Sequence, residues 1–135
     1  MALSPQQLKQ VPLFSGLDDK ALRSIAASMR ERTFRAGESA TQEGQSGVGF
    51  FVIESGQATV DVGGREMRQL GPGDYFGEVA LLTQSARSAT ITADTDLKCW
   101  GLTPWDFKPL VEGNGSIAWT LLQTLAERLA EQAKT

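Results

Sequence analysis

The chain has 135 residues, a formal net charge of −3, one cysteine and no histidine. Without histidine there is no His-based triad or imidazole metal site, and one cysteine allows no intrachain disulfide. The acidic charge, with no basic cluster, argues against a direct nucleic-acid partner, and no apolar run reaches the ~18 residues of a membrane span. The start of the chain lacks the pattern of a signal peptide. We therefore expect a cytoplasmic protein that forms one domain over residues 1–135.

The N-terminal segment, residues 1–32, has the pattern of two helices. Ser4, Pro5 and Gln7 have the spacing of an N-cap, a first helical residue and the partner of a capping box. A second helix is indicated by apolar residues every three or four positions after Asp18 and Asp19, whose charges suit a helix N-terminus.

The middle of the chain, residues 33–102, is punctuated by glycine and has the pattern of short strands. In one run Ala58, Val60 and Val62 alternate with polar residues, which predicts a strand with one buried face. Gly63 and Gly64 then predict a hairpin turn. Strands this short and this frequent favour a sandwich, roll or barrel. The lone Cys99 is expected to be a buried apolar residue, and Trp100 and Trp105 are expected to pack against the end of these strands.

The C-terminal segment, residues 103–135, predicts a long helix with Ser116 as its cap. An apolar stripe is expected along this helix, formed by Ala118, Leu121, Leu122, Leu125, Leu129 and Ala133. Two uses of the stripe stay open, a homodimer through this helix or packing back onto the strands.

Residues 76–90, FGEVALLTQSARSAT, place Glu78 and Arg87 among small, apolar and hydroxyl residues. Glycine before a short helical turn exposes backbone N–H groups that bind anions, and the arginine fork suits a phosphate. A carboxylate cannot bind phosphate but accepts hydrogen bonds from sugar hydroxyls. The run therefore favours a ligand with one phosphate and one sugar hydroxyl, with a simple surface ion pair as the alternative.

This run resembles the phosphate-binding cassette of the cyclic nucleotide-binding domain family, with some nine positions agreeing at fixed spacing. The resemblance extends over nearly the whole chain, from the run VPLFSGL to the run LLQTLAERL. It implies an eight-stranded antiparallel β-roll with N-terminal helices, and a C-terminal lid helix that follows a hinge at residues 104–113. The protein would then be a ligand-operated switch and not an enzyme.

The resemblance also implies roles for individual residues. Glu78 would accept the ribose 2′-hydroxyl, and Arg87 would pair with the cyclic phosphate. Val60 and Met67 are candidates for the wall that contacts the purine. Their assignment comes from alignment with the family and from no specific motif. Backbone N–H groups of Gly77, Ala80 and Ser88 would complete the phosphate site. Val79 and Ala89 are the remaining candidate ligand-binding residues of the cassette.

Other features leave the ligand and the output open. The chain departs from the family pattern at Gly47-Val48, where Gly-Asp is usual, and at Phe51, where tyrosine is common. Ser88 discriminates poorly between cAMP and cGMP, and we favour cAMP, with cGMP as the alternative. A non-binding protein-interaction scaffold and a cupin-like or hydrolytic enzyme are the rival functions, and the missing metal ligands argue against the enzyme. The effector module or partner protein stays unknown, as does whether the chain is a stand-alone receptor or the sensor of a larger protein.

Overall fold

The computed structural model describes residues 3–41, 49–77, 81–82 and 89–133. The chain forms two compact units. A helical unit comprises Met1–Met29 and Trp105–Thr135, and a strand unit comprises Arg30–Pro104. No helix in the described ranges is long and apolar enough to cross a membrane.

The described part of the helical unit contains four α-helices and one 3-10 helix. Their bounds are α1 Pro5–Lys9, the 3-10 helix Pro12–Phe14, α2 Asp19–Ala27, α3 Pro104–Glu112 and α4 Gly115–Ala133. The first residue of α3 belongs to the strand unit. The core of the helical unit includes Phe14 and Phe107, whose ring centroids lie 5.9 Å apart.

Side-chain caps fix where these helices begin. Ser4 and Gln7 form the predicted capping box at α1. Asp18 caps α2, because its Oδ1 accepts a hydrogen bond from the Ala21 N–H at 2.8 Å. The prediction that Ser116 caps α4 is wrong: the Asn114 Oδ1 accepts hydrogen bonds from the N–H groups of residues 116 and 117. Asparagine at the residue before the first helical turn is a strong cap, and it leaves Ser116 inside the helix.

The described part of the strand unit contains eight strands in two antiparallel four-stranded sheets. One sheet has the order β1-β8-β3-β6 and the other β2-β7-β4-β5. Their bounds are β1 Arg30–Phe34, β2 Ser39–Thr41, β3 Phe50–Ser55, β4 Ala58–Val62, β5 Arg65–Leu70, β6 Tyr75–Phe76, β7 Thr90–Ala93 and β8 Leu97–Leu102. The predicted class of a mainly antiparallel β-roll with flanking helices is confirmed. The first strand begins at Arg30, three residues before the predicted start of the roll.

The core of the strand unit lies between the two sheets. It is a cluster of buried residues from both sheets: Phe34, Phe51, Ile53, Ala58, Val60, Leu70, Phe76, Ile91, Ala93, Leu97 and Cys99. Burial raises the pKa of the Cys99 thiol to about 12, as expected of a buried apolar residue.

Two predictions about side-chain exposure are wrong. Val62, expected on the buried face of β4, is 40% exposed, because β4 ends there and the chain turns through Gly63 and Gly64 at φ +61° and +80°. That turn is the predicted hairpin, since glycine adopts positive φ without strain. Trp105, expected to pack, is 70% exposed near the start of α3.

The apolar stripe predicted on α4 divides into two faces. Leu121 is 3% exposed and packs inside the helical unit, together with Ile117 and Thr124. Leu122 and Leu129 are 58% and 67% exposed. Positions 121 and 122 are adjacent in sequence and lie about 100° apart on a helix, so they cannot share one narrow face.

Candidate functional site

The candidate cassette joins the two sheets of the strand unit. β6 ends at Phe76 and pairs with β3 in one sheet, while β7 begins at Thr90 and pairs with β4 and β2 in the other. Residues 77–89 therefore pass from one sheet to the other. The predicted residues Glu78, Val79, Ala80, Arg87 and Ser88 lie outside the described residues.

The entry to the cassette is held by aromatic packing and a glycine conformation. The Phe76 ring is buried, and its centroid lies 5.2 Å from that of Phe51, which lies opposite Phe76 on the neighbouring strand β3. Gly77 follows at φ +85°, a backbone conformation that residues with a Cβ rarely adopt. The backbone at this predicted site residue therefore requires a positive φ, which glycine adopts without strain. Further along, Leu81 is 6% exposed and Leu82 is 46% exposed.

The exit from the cassette is fixed by the start of β7, which pairs with β4. Ala89 is half-buried and packs against the core between the sheets. In the next residues, Thr90 lies opposite Asp61 and Ile91 lies opposite Val60. Because the chain is anchored in a different sheet at each end, the strands define where the cassette begins and where it ends.

The two residues predicted to face the purine differ in exposure. Val60 is 9% exposed and belongs to the core cluster, one register position from the end of the cassette. Met67 is 62% exposed on β5. The register there shifts, so that Val60 pairs with Arg68 and Asp61 pairs with Glu66, which leaves Met67 as the extra residue of a β-bulge. The roles of both residues stay predictions.

A second charged cluster lies on β1, β3 and β8. The Glu54 carboxylate accepts hydrogen bonds from Lys98 Nζ at 3.0 Å and from Trp100 Nε1 at 3.2 Å. Glu31 lies 3.6 Å from the same ammonium. The hydrogen bond from Lys98, with that from Trp100, lowers the pKa of Glu54. Each polar group here has a protein partner, so the cluster joins three strands and lacks the features of a reactive site.

The described residues contain no group of three or more His, Cys, Asp or Glu side chains placed to hold a metal ion.

The family model described as "Cyclic nucleotide-binding domain" matches residues 31–114, which include the whole cassette and every strand except the first residue of β1. The chain belongs to the cyclic nucleotide-binding domain family.

Known proteins similar to this domain include signalling and regulatory proteins. A cGMP-dependent protein kinase of Toxoplasma gondii is 40% identical over 94 residues, which are 70% of this chain and 10% of the kinase. The N-terminal domain of a transcriptional regulator from Streptomyces coelicolor A3(2) aligns with a TM-score of 0.82 and 32% identity, over 93% of this chain and 91% of that one.

A third similar protein is the regulatory domain of Toxoplasma gondii PKA, whose structure was determined with cAMP. It aligns with a TM-score of 0.69 and 32% identity, over 78% of this chain and 42% of that one. The chain thus spans about a tenth of the kinase and less than half of the PKA regulatory structure. The domain is a regulatory module of the cyclic nucleotide-binding type.

Proposed function

We propose that this domain is a cAMP receptor that acts as a ligand-operated switch and catalyses no reaction. The observation that carries the proposal is the cassette sequence at residues 76–90, lying where the chain passes between the two sheets. In this proposal Arg87 pairs with the cyclic phosphate, Glu78 accepts the ribose 2′-hydroxyl, and backbone N–H groups of the cassette complete the phosphate site.

The anchoring of the cassette supports a site of defined shape. Phe76 is held by Phe51 on the entry side, and Ala89 packs on the core on the exit side. Anchors of this kind reduce the conformational entropy that a loop loses when it orders around a ligand. Gly77 adds a turn without a side chain, so that backbone N–H groups can approach an anion closely.

The size of the ligand limits the expected affinity. A cyclic nucleotide has roughly two dozen non-hydrogen atoms, and at ~0.3 kcal/mol per atom these give ~7 kcal/mol. This corresponds to a Kd on the order of 10 µM or tighter. A charge-assisted hydrogen bond contributes ~1.5–3 kcal/mol, so the guanidinium of Arg87 accounts for a factor of at least ~10 in affinity.

The choice between cAMP and cGMP is the finer part of the proposal. The PKA regulatory domain was solved with cAMP, while the similar kinase is cGMP-dependent. We favour cAMP, because stacking and shape suffice to hold adenine in an apolar pocket. Calorimetric titration with each nucleotide tests this: a Kd at least several-fold lower for cAMP is expected. A lower Kd for cGMP would reassign the ligand. No measurable binding of either nucleotide would favour the protein-interaction scaffold.

The connection between α3 and α4 supports a hinge. Pro109 lies inside α3 and has no N–H to donate, and α3 ends at Glu112. Only Gly113 and Asn114 separate it from α4. A short glycine-containing connection beside a proline is where a helix pair changes its angle most readily.

We therefore expect α4 to be the element that responds to the nucleotide. A ligand shifts such an equilibrium only by its different affinities for the two forms. Hydrogen–deuterium exchange of residues 116–132, with and without saturating cAMP at one protein concentration, should show slower exchange in the complex. Identical exchange rates in a sample that calorimetry shows to be saturated would contradict the proposed switch. The proposal of a cyclic nucleotide receptor would still stand.

A further inference from the structure

A pocket of about 420 Å³ lies in the helical unit, where α2 and α4 begin. Residues between positions 16 and 24 form one wall, and residues between positions 114 and 120 form the other. The volume is in the range of small-molecule sites, roughly 300–1,000 Å³. The described lining residues all belong to the helical unit and none to the cassette, so the pocket is a different site from the candidate nucleotide site.

Gly16 brings the two walls of the pocket together. A Cβ at this residue would lie 3.2 Å from Thr120 Cγ2 and 3.3 Å from Thr124 Oγ1, so the absence of a side chain allows the turn before α2 to pack directly on α4. Thr124 is 9% exposed, and its hydroxyl forms no hydrogen bond within the described ranges. Most buried polar groups are hydrogen-bonded. The end of the pocket where the walls meet therefore has beside it a buried polar group that the fold itself does not use.

The pocket is lined by one negative and one positive side chain. Asp18 and Lys20 both line it, and neither forms an ion pair with another described residue. Asp18 uses Oδ1 to cap α2, which leaves Oδ2 as an acceptor. A simple anion would be repelled by Asp18, and a simple cation would be repelled by Lys20. A zwitterion is complementary to both charges.

The rest of the lining combines apolar surface with uncharged polar groups. Leu17, Ala21 and Ile117 are buried and supply the apolar part. The hydroxyls of Ser116 and Thr120 form no hydrogen bond within the described part of the chain. They lie in the first turns of α4, whose N-terminus favours negative charge. A small molecule with an aliphatic group, a carboxylate and an ammonium group would match each part of this lining.

We propose that the pocket binds a free α-amino acid with an aliphatic side chain. Its ammonium group lies against the Asp18 carboxylate, and its carboxylate lies against the Lys20 ammonium and the hydroxyls of α4. Its side chain covers the apolar part of the lining. Lys20 is exposed and follows Asp18 by two residues, so its long side chain can reach the carboxylate of a ligand whose ammonium group is on Asp18. The ligand therefore contacts α2 and α4 at once.

The affinity is expected to be low, because the ligand is small and both charged residues are exposed. An amino acid such as L-leucine has roughly nine non-hydrogen atoms, which corresponds to a Kd on the order of 1 mM. This inference does not rest on the proposed nucleotide. The Arg87→Ala variant, which should lose nucleotide affinity, should bind the amino acid as the unsubstituted chain does.

Titration of L-leucine into the isotope-labelled full chain, followed by NMR, tests the site. We expect saturable shifts of the backbone amide signals of residues 17–21 and 115–120, described by one Kd. The absence of saturable shifts at these residues up to about 50 mM L-leucine would overturn the proposal.

Two substitutions each remove one charge of the pocket, and each has a matched control outside it. Asp18→Asn keeps the cap of α2, since asparagine caps a helix as well as aspartate does, and Asp19→Asn is its control. Lys20→Gln is compared with Lys9→Gln on α1. Each pocket variant should raise the Kd for L-leucine by about threefold to fivefold, the contribution of an exposed ion pair, and the controls should leave it unchanged. Equal Kd values within either matched pair would overturn the proposal.

Two derivatives of the ligand test the orientation assigned to it. N-acetyl-L-leucine has no ammonium group, so Asp18→Asn should not weaken its binding. L-leucinamide has no carboxylate, so Lys20→Gln should not weaken its binding. Both derivatives should bind the unsubstituted chain more weakly than L-leucine does. A derivative that binds as tightly as L-leucine would overturn the assignment of a zwitterion.

Discussion

Gly101 on β8 is the position where adding one methyl group should perturb the strand unit most directly. A Cβ at this residue would lie 2.8 Å from Phe51 Cε1 and 3.0 Å from Phe51 Cδ1, closer than carbon atoms pack. Gly101 and Phe51 are partners across β8 and β3, so the absent side chain provides the space for the ring.

The Phe51 ring has little freedom to move away. Its centroid lies 5.8 Å from that of Phe34 in an edge-to-face contact and 5.2 Å from that of Phe76. Inserting a carbon into a packed core of this kind costs about 1–3 kcal/mol, and we expect Gly101→Ala to lower the free energy of unfolding by about 2 kcal/mol. For a chain of this length, that corresponds to a fall in Tm of roughly 6–10 °C.

Urea denaturation followed by tryptophan fluorescence measures the effect. The matched control is Gly115→Ala at the start of α4, where a Cβ meets nothing within 4 Å and φ is not positive. It should be neutral or stabilise by up to ~1 kcal/mol. Adding Phe51→Leu to Gly101→Ala should restore part of the lost stability. The double-mutant cycle of the two substitutions should therefore give a non-zero coupling energy. Equal stabilities for Gly101→Ala and Gly115→Ala would refute the packing argument.

Three further outcomes follow from the caps, the buried thiol and the entry glycine. Asn114→Ala should lower the free energy of unfolding by ~0.5–2 kcal/mol in urea titrations, because two N–H groups of α4 lose their acceptor. Asn114→Asp should keep most of the stability, since its carboxylate oxygen accepts the same hydrogen bonds. The pKa of Cys99 is about 12 in the folded chain and 9.0 as the reference value, so the folded state holds its proton longer. Stability should therefore fall as pH rises from 9 toward 12, and the fall should be smaller in Cys99→Ala, by thermal unfolding across that range. Gly77→Ala should weaken cAMP binding in calorimetry by strain at φ +85°, and unchanged affinity and Tm would show that the turn tolerates a side chain.

Features determined by local chemistry were predictable from the sequence. The capping box at Ser4, the helix start at Asp18 and Asp19 and the hairpin at Gly63-Gly64 depend on a few neighbouring residues, and the structure has all three. The alternation along β4 likewise identified the buried Ala58 and Val60. The antiparallel roll was predicted from the density of short strands together with the family resemblance.

Features determined by distant partners were not predictable. The fit of Phe51 into the space beside Gly101 depends on the register of β3 with β8, and nothing near either residue indicates it. The exposure of Trp105 depends on packing that composition does not encode. The two faces of α4 were merged because Leu121 and Leu122 both fit a broad apolar stripe. One local feature was also missed: Asn114 caps α4, but Ser116, two residues later, satisfied the same sequence preference.

The central claim is that the cassette binds a cyclic nucleotide through Arg87. Calorimetric titration of cAMP into the full chain, the Arg87→Ala variant and the Arg23→Ala variant tests it most directly, since the two variants lose the same charge at different places. The account predicts a Kd on the order of 10 µM or tighter for the full chain and for Arg23→Ala, and at least ~10-fold weaker binding for Arg87→Ala at unchanged thermal stability. Affinity that is equal in all three proteins would contradict it.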